Sequence, residues 1–338
     1  MTREGTSGFG ERVRWRVEYG LTLLVAGVLT RLPTAMAEFV ANSLGDLLYL
    51  LLRKRVRTGR ENLRRALPEM EADVGRQNWV LRQSFRHFVK VPVELMRLGR
   101  ELDRRPPEEI IDIQGRQYLE DILATGGACF YLSGHIGNWE VTGALCERLG
   151  YAMTSIGRGV DNPYLHMWLK DLRCRFGQKI SDKEGASRDI LRIIREGGKV
   201  AMLLDQHAGR HGIRVPYFGR LASTFVSAAR LARRLGAPLL PAFSYRHGRL
   251  LRLRMKLFEP IWPDPELPTD EDHFRLTAYY TACLEQMVRA HPEQYLWFHR
   301  RWRPGGQEPE PAWLERYAVG MDSKLSRTNS PEANTEKP

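Results

Sequence analysis

A chain of 338 residues, 43% of them hydrophobic and without a visible internal repeat, is long enough to bury one large core, and a single domain is expected. A formal charge of +12 and a pI near 9.7 call for an acidic partner: phosphate-bearing lipid, an acidic carrier protein or nucleic acid. The four cysteines, Cys129, Cys146, Cys174 and Cys283, are isolated, with no C-x-x-C spacing to suggest zinc or a redox pair, and fit a reducing cytoplasm.

The charge is uneven. Residues 1–66 hold twelve Lys/Arg against six Asp/Glu, so a fifth of the chain carries half of the excess. The same region holds the most apolar segments. Tyr19 to Thr30 is an uncharged run of twelve residues, shorter than the ~20 that a spanning helix needs. Ala35 to Leu52 reads as an apolar helix interrupted by Glu38 and Asp46, and it runs into Arg53-Lys54-Arg55-Val56-Arg57. A basic cluster directly after such a helix suits an anionic membrane surface, at roughly 1 kcal/mol per cation. A cleaved signal peptide is not expected, because charges precede the apolar run and no small-residue cleavage site clearly follows it.

Asp73 to Leu98 has a helical pattern, its apolar stripe supplied by Trp79, Leu81, Phe85, Phe88, Val89, Val91 and Val93. After Pro106-Pro107, short apolar runs alternate with helical patterns. The runs are Ile110 to Ile113, Ala128 to Leu132, Val200 to Leu204, Pro238 to Tyr245 and Leu250 to Leu257. The helices are Arg116 to Thr125, Asn138 to Leu149, Pro163 to Phe176, Ala186 to Glu196, Phe225 to Leu235 and one around Phe274 to Ala290. This alternation predicts an α/β domain with a largely parallel central sheet flanked by helices. In such sheets ligands sit beyond the carboxyl ends of the strands, so His135 and Asp205, each just past an apolar run, should emerge at one edge. The expected organisation is membrane-associating N-terminal helices over residues 1–57, the catalytic domain over 58–318 and a disordered polar tail over 319–338.

The stretch YLSGHIGNWE, Tyr131 to Glu140, carries the densest chemistry. Asn138 is a plausible N-cap, which puts Glu140 in the first helical turn and His135 just ahead of it. Gly134 and Gly137 let the backbone bend so that the His135 ring folds back toward the Glu140 carboxylate. An H-x-x-x-x-E pair of this kind suits proton abstraction from a hydroxyl: the carboxylate fixes the tautomer and the other ring nitrogen accepts the proton. Free amides of the same helix start are candidates to hold an oxyanion. The bland reading is a turn histidine and a solvent-facing glutamate.

SGHIGNWE resembles the motif of the bacterial lipid A biosynthesis acyltransferases, the lauroyl/myristoyl acyltransferase family, which includes phosphatidylinositol mannoside acyltransferases. The resemblance continues in order along the chain: Arg60-Glu61-Asn62-Leu63 before Pro68, Arg158 with Asp161-Asn162-Pro163, and Asp205-Gln206 followed by Val215-Pro216-Tyr217-Phe218-Gly219. It closes with His291-Pro292-Glu293-Gln294 leading to His299-Arg300-Arg301-Trp302-Arg303. It implies transfer of a fatty acyl chain from a thioester, on acyl carrier protein or coenzyme A, to a hydroxyl of a membrane glycolipid such as a lipid A precursor. The place of action would be the cytoplasmic face of a bacterial inner membrane, with peripheral or monotopic attachment.

By that resemblance His135 is the general base, Glu140 its partner, and Arg158 serves the acceptor phosphate or the developing oxyanion. Asn138, Asp205, Gln206, Arg300 and Arg301 are expected to bind substrate. For Asp205 the competing reading is a cap on the next element, and for Arg300 and Arg301 it is locking of the C-terminal segment to the core. Family members often have a proline after the arginine; this chain has Gly159, which loosens that loop. His207 and His211 invite a zinc reading, but no third ligand is evident nearby and thioester alcoholysis needs neither metal nor cofactor. No aromatic-rich RNA-binding motif or zinc module supports nucleic acid as the partner. Two other functions fit parts of the sequence. In a thioesterase Ser133 would be the nucleophile, although L-S-G-H lacks the G-x-S-x-G elbow. An inert relative would bind lipid without turning it over.

Overall fold

The computed structural model describes residues 8–157, 159–182 and 186–303. Arg158 and the tail over 319–338 lie outside them. Helices α1 (Phe9–Arg31), α2 (Thr34–Leu51) and α3 (Arg53–Ala66) lead into the long α4 (Val74–Leu102), capped by Asp73, whose carboxylate accepts from the Arg76 amide at 2.8 Å. The α/β alternation then unfolds as β1 (Ile111–Gln114), α5 (Arg116–Ala124), β2 (Cys129–Ser133), α6 (Trp139–Arg148), β3 (Thr154–Gly157), α7 (Pro163–Cys174), β4 (Lys179–Asp182), α8 (Ala186–Arg195) and β5 (Lys199–Leu203). A hairpin of β6 (Gly212–Tyr217) and β7 (Arg220–Phe225) precedes α9 (Ser227–Leu235), β8 (Leu239–Arg246), β9 (Leu253–Leu257) and α10 (Thr269–Ala290).

Seven strands form one sheet in the order β1-β9-β8-β2-β5-β3-β4. Every neighbouring pair is parallel except β8–β9, so the expected α/β domain with a largely parallel sheet is what the chain forms. Alternation along β2 feeds two apolar layers: Phe130 and Leu132 join one with α3, α8, α9 and α10, while Cys129 and Tyr131 join the other with α5, α6 and α7. The second layer is incomplete. Interior strands β3 and β5 are only half-buried, because a cavity separates them from α6 and α7.

Helix α2 packs with its polarity reversed from that of an ordinary surface helix. On α2, Glu38 pairs with Lys90 at 2.8 Å and Asp46 with Arg86 at 2.6 Å and with Arg82, all on α4. The charges of α2 therefore face the body of the protein, and Phe39, Leu47 and Leu50 face out. On α1 the residues Phe9, Val13, Val17, Leu21, Leu24 and Val28 recur at helical spacing and are all exposed, while Trp15, Ala26 and Leu29 on the opposite face are buried. No single helix among the described residues is long and apolar enough to cross a membrane.

Candidate active site

Strands β2 and β5 pair in parallel with Ser133 opposite Leu203, so the residues two positions beyond each strand meet. There His135 and Asp205 form a doubly bonded pair: His135 Nδ1 lies 2.7 Å from Asp205 Oδ1, and the His135 amide donates to Asp205 Oδ2 at 2.9 Å. The buried carboxylate fixes the proton on Nδ1 and leaves Nε2 to accept one. Burial opposes a charge on His135, but the charge and hydrogen bond of Asp205, with a further contribution from Glu140, carry its pKa above the ordinary value. Burial also works against ionised Asp205, yet the contacts with His135 and the charge of Arg301 hold its pKa below the usual carboxylate range.

This corrects the role expected for Glu140 at the ring. Register delivers the partner carboxylate from β5, while the first turn of α6 aims Glu140 toward α7. Arg173 on α7 donates to it from Nε at 2.7 Å and from a terminal nitrogen at 2.6 Å, and the Trp139 indole donates at 3.2 Å. The Trp139 ring stands edge-on to the His135 imidazole, with centroids 4.9 Å apart. Spacing along one segment gave no hint of Arg173, which arrives from a separate helix.

Asn138 is the expected N-cap, its Oδ1 accepting from the amides of Glu140 and Val141 at 3.1 and 3.0 Å. Those two amides are thereby withdrawn from holding an oxyanion. Substrate binding by Asn138 is also corrected: the residue is fully buried, and its Nδ2 donates to Glu94 Oε2 at 2.6 Å and to the Val91 carbonyl. Glu94 in turn binds Arg246, and Arg246 reaches His87, whose Nε2 donates to the Gly137 carbonyl at 2.9 Å. The turn is clamped from the other side as well, where the Leu296 amide donates to the His135 carbonyl and the Gly137 amide to the Gln294 carbonyl. Gly137 has φ of +60°, and a Cβ there would fall 1.7 Å from the Ser244 carbonyl oxygen. Only glycine fits between turn and β8.

Arg301 is a correction of the same kind. It is buried, donates to the Ser223 carbonyl and to Thr224 Oγ1 at 2.6 Å each, and lies over the Tyr217 ring. These bonds lock the C-terminal segment onto β7, which is the competing reading given for Arg301, here by hydrogen bonding to a backbone carbonyl and a hydroxyl. Arg300 is exposed, and Gln206 is half-buried just after Asp205. His299, unassigned from the sequence, accepts from the His207 amide at 3.1 Å and has its pKa pushed down to about 4, first by burial and further by neighbouring cations.

Beside Glu140 opens a cavity of about 110 Å³ between the sheet and helices α6 and α7. Its walls are mainly apolar, with Met153, Ile156, Ile180, Met202 and Met255 among them, and Ser133, Glu140 and Arg173 line it too. An apolar cavity of about 150 Å³ takes a benzene ring, so this one has room for a short length of hydrocarbon.

The profile of the bacterial lipid A biosynthesis acyltransferases matches residues 8–304. The chain is 28% identical to the lipid A biosynthesis lauroyltransferase of Escherichia coli (strain K12) over 302 residues, 85% of this chain and 94% of that protein. It is 26% identical to the lipid A biosynthesis palmitoleoyltransferase of the same strain over 300 residues, 86% and 94% of the two chains. Identity to the phosphatidylinositol mannoside acyltransferase of Mycobacterium tuberculosis (strain ATCC 25618 / H37Rv) is 25% over 224 residues, 64% of this chain and 66% of that one. With the profile spanning every strand of the sheet and the His135 turn, the chain belongs to the bacterial lipid A biosynthesis acyltransferase family and is an acyltransferase.

Proposed function

We propose that this enzyme transfers a fatty acyl chain from a thioester, on acyl carrier protein or coenzyme A, to a hydroxyl of a membrane glycolipid. One observation carries the reading: His135 has Nδ1 held by the buried carboxylate of Asp205 and a second nitrogen left to take a proton, at a sheet edge beside an apolar cavity. The acceptor hydroxyl gives its proton to His135 Nε2 as its oxygen attacks the thioester carbonyl. The C–S bond then breaks, and the imidazolium returns the proton to the departing thiolate. Asp205 stabilises the imidazolium directly, and Glu140, fixed by Arg173, adds its charge from the cavity wall. Arg158 is assigned to the oxyanion or the acceptor phosphate, because the amides of Glu140 and Val141 are already bonded to Asn138. The chain reacting at His135 enters the cavity.

The outward apolar faces of α1 and α2 support attachment to a lipid surface without a spanning helix. Exposed Arg53, Lys54, Arg55 and Arg57 open α3 directly after α2, and no ion pair engages them among the described residues, which suits anionic headgroups. A glycolipid acceptor is supported by the names of the relatives, lipid A enzymes and phosphatidylinositol mannoside acyltransferases alike. A lipid A precursor is the first candidate and a phosphatidylinositol mannoside the second.

The test is mass spectrometry of lipids incubated with wild type or His135→Ala and with either thioester. One added acyl chain on one lipid class, confined to wild type, is expected. Thioester loss without acylated lipid would instead indicate a hydrolase, and Ser133→Ala would then abolish it. Folded wild type that acylates nothing from any donor would sink the proposal.

A further inference from the structure

The cavity beside Glu140 is not uniformly apolar. Tyr131 on β2 and Gln178, just before β4, both line it, and they are only 3% and 5% exposed. The Tyr131 hydroxyl and Gln178 Oε1 are each buried without a hydrogen-bond partner among the described residues. Buried polar atoms are almost always paired, so two orphans on one cavity wall point to a guest that pairs them. Leu or Met in place of Gln178, and Phe in place of Tyr131, would suit a plain hydrocarbon better.

The local construction reinforces this. Gln178 is anchored at one end, its Nε2 bonded to Ser155 Oγ at 3.0 Å, so the other end of the amide is presented and not free to swing. Helix α6 has glycine where it faces this amide: a Cβ on Gly143 would lie 2.3 Å from Gln178 Nε2. Glycine inside a helix is unfavourable in itself, and here it makes the space that the amide occupies. A hydroxyl on the guest both donates and accepts. It donates to Gln178 Oε1 and accepts from Tyr131; were the amide reversed, it would accept from Nε2 and donate to the tyrosine oxygen.

We infer that the acyl chain transferred by this enzyme carries a hydroxyl group, and that Tyr131 and Gln178 recognise it. This rests on the acyl-transfer reading above and names the substrate class within it. A site built to bond a hydroxyl discriminates strongly against the analogue lacking it, because the unpaired polar groups stay unpaired.

The test uses the full chain with vesicle-borne lipid acceptor and acyl thioesters matched in length, saturated against 2-hydroxy and 3-hydroxy, in direct competition read by product mass. Wild type is expected to favour one hydroxylated donor at least about 10-fold in kcat/KM. Tyr131→Phe and Gln178→Met should each shrink that ratio, and the double variant should favour the saturated donor. Since wild type alone decides whether the preference exists, a variant that fails to fold does not remove the test. Equal use of saturated and hydroxylated donors by wild type overturns the inference and leaves acyl transfer standing, as does a preference that both variants retain; ordered water would then satisfy the two orphans. No product from any donor overturns the acyl-transfer reading and this inference with it.

Discussion

At His135 two carboxylates act on one imidazole from different distances. Asp205 is bonded to the ring and is the larger influence, whereas Glu140 acts through space while Arg173 holds it. The base must be neutral to work, and its pKa is raised, so the acid limb of the kcat/KM profile should lie above the ordinary histidine value of about 6.5. Asp205→Asn removes the supporting charge, and the limb should move to lower pH while turnover falls by at least about 100-fold. Glu140→Gln should move it the same way by less. Arg173→Met should move it upward, since it leaves the Glu140 charge uncompensated beside an imidazole also faced by Asp205 and His299, while Arg301 acts on Asp205 and His299. A full pH profile of each variant decides these signs, and an unmoved limb in Asp205→Asn would remove the dyad from the account. Of this cluster the sequence singled out His135 and placed Asp205 on the same edge. Which carboxylate holds the ring was hidden, because proximity in sequence favoured Glu140 whereas strand register, a long-range property, delivers Asp205.

Elements explain how the His135 turn is held. The segment between β2 and α6 is held by α4 and β8 through buried Glu94, Arg246 and His87, and from the C-terminal side by Gln294 and Leu296. Removing one partner of a buried pair leaves a buried charge, so Glu94→Gln should lower unfolding free energy by about 3–5 kcal/mol in a denaturant titration. His87 is kept neutral by burial and by the charge of Arg246, its pKa well below the ordinary value. It therefore draws on stability as pH falls below about 6.5, where the unfolded chain binds a proton that the folded one refuses. The strands and helices around the turn were legible because β2 and β5 are short continuous apolar runs and α6 has its asparagine cap. Strands β3 and β4 were not, being four residues each, TSIG and KISD, without an apolar run. The β6–β7 hairpin was missed in its turn, as its residues read only as a family motif.

For the molecule as a whole, the distribution of apolar surface separates the N-terminal helices from the rest. From sequence, residues 1–57 read as membrane-associating helices on their apolar runs and basic cluster alone; only the packing shows that α2 turns its charges inward and that α1 and α2 both turn apolar residues outward, with Phe39 70% and Leu24 65% exposed. Replacing Phe39 and Leu50 together with glutamate should weaken cosedimentation with anionic vesicles at least about 10-fold, given the transfer free energy of two large apolar side chains. Raising salt should weaken it further through the α3 cations. These helices are not a detachable anchor, however. Asn162 caps α7 by accepting from the amides of Tyr164 and Leu165, and the same side chain donates to the Trp15 carbonyl and to Glu18 on α1. The far end of α7 carries Arg173 and hence Glu140. An enzyme shortened by removal of α1 to make it easier to handle should thus turn over even a water-soluble short-chain acceptor more slowly than the full chain does, because trimming the outward apolar helix loosens a tether that runs through α7 to Glu140 in the cavity wall.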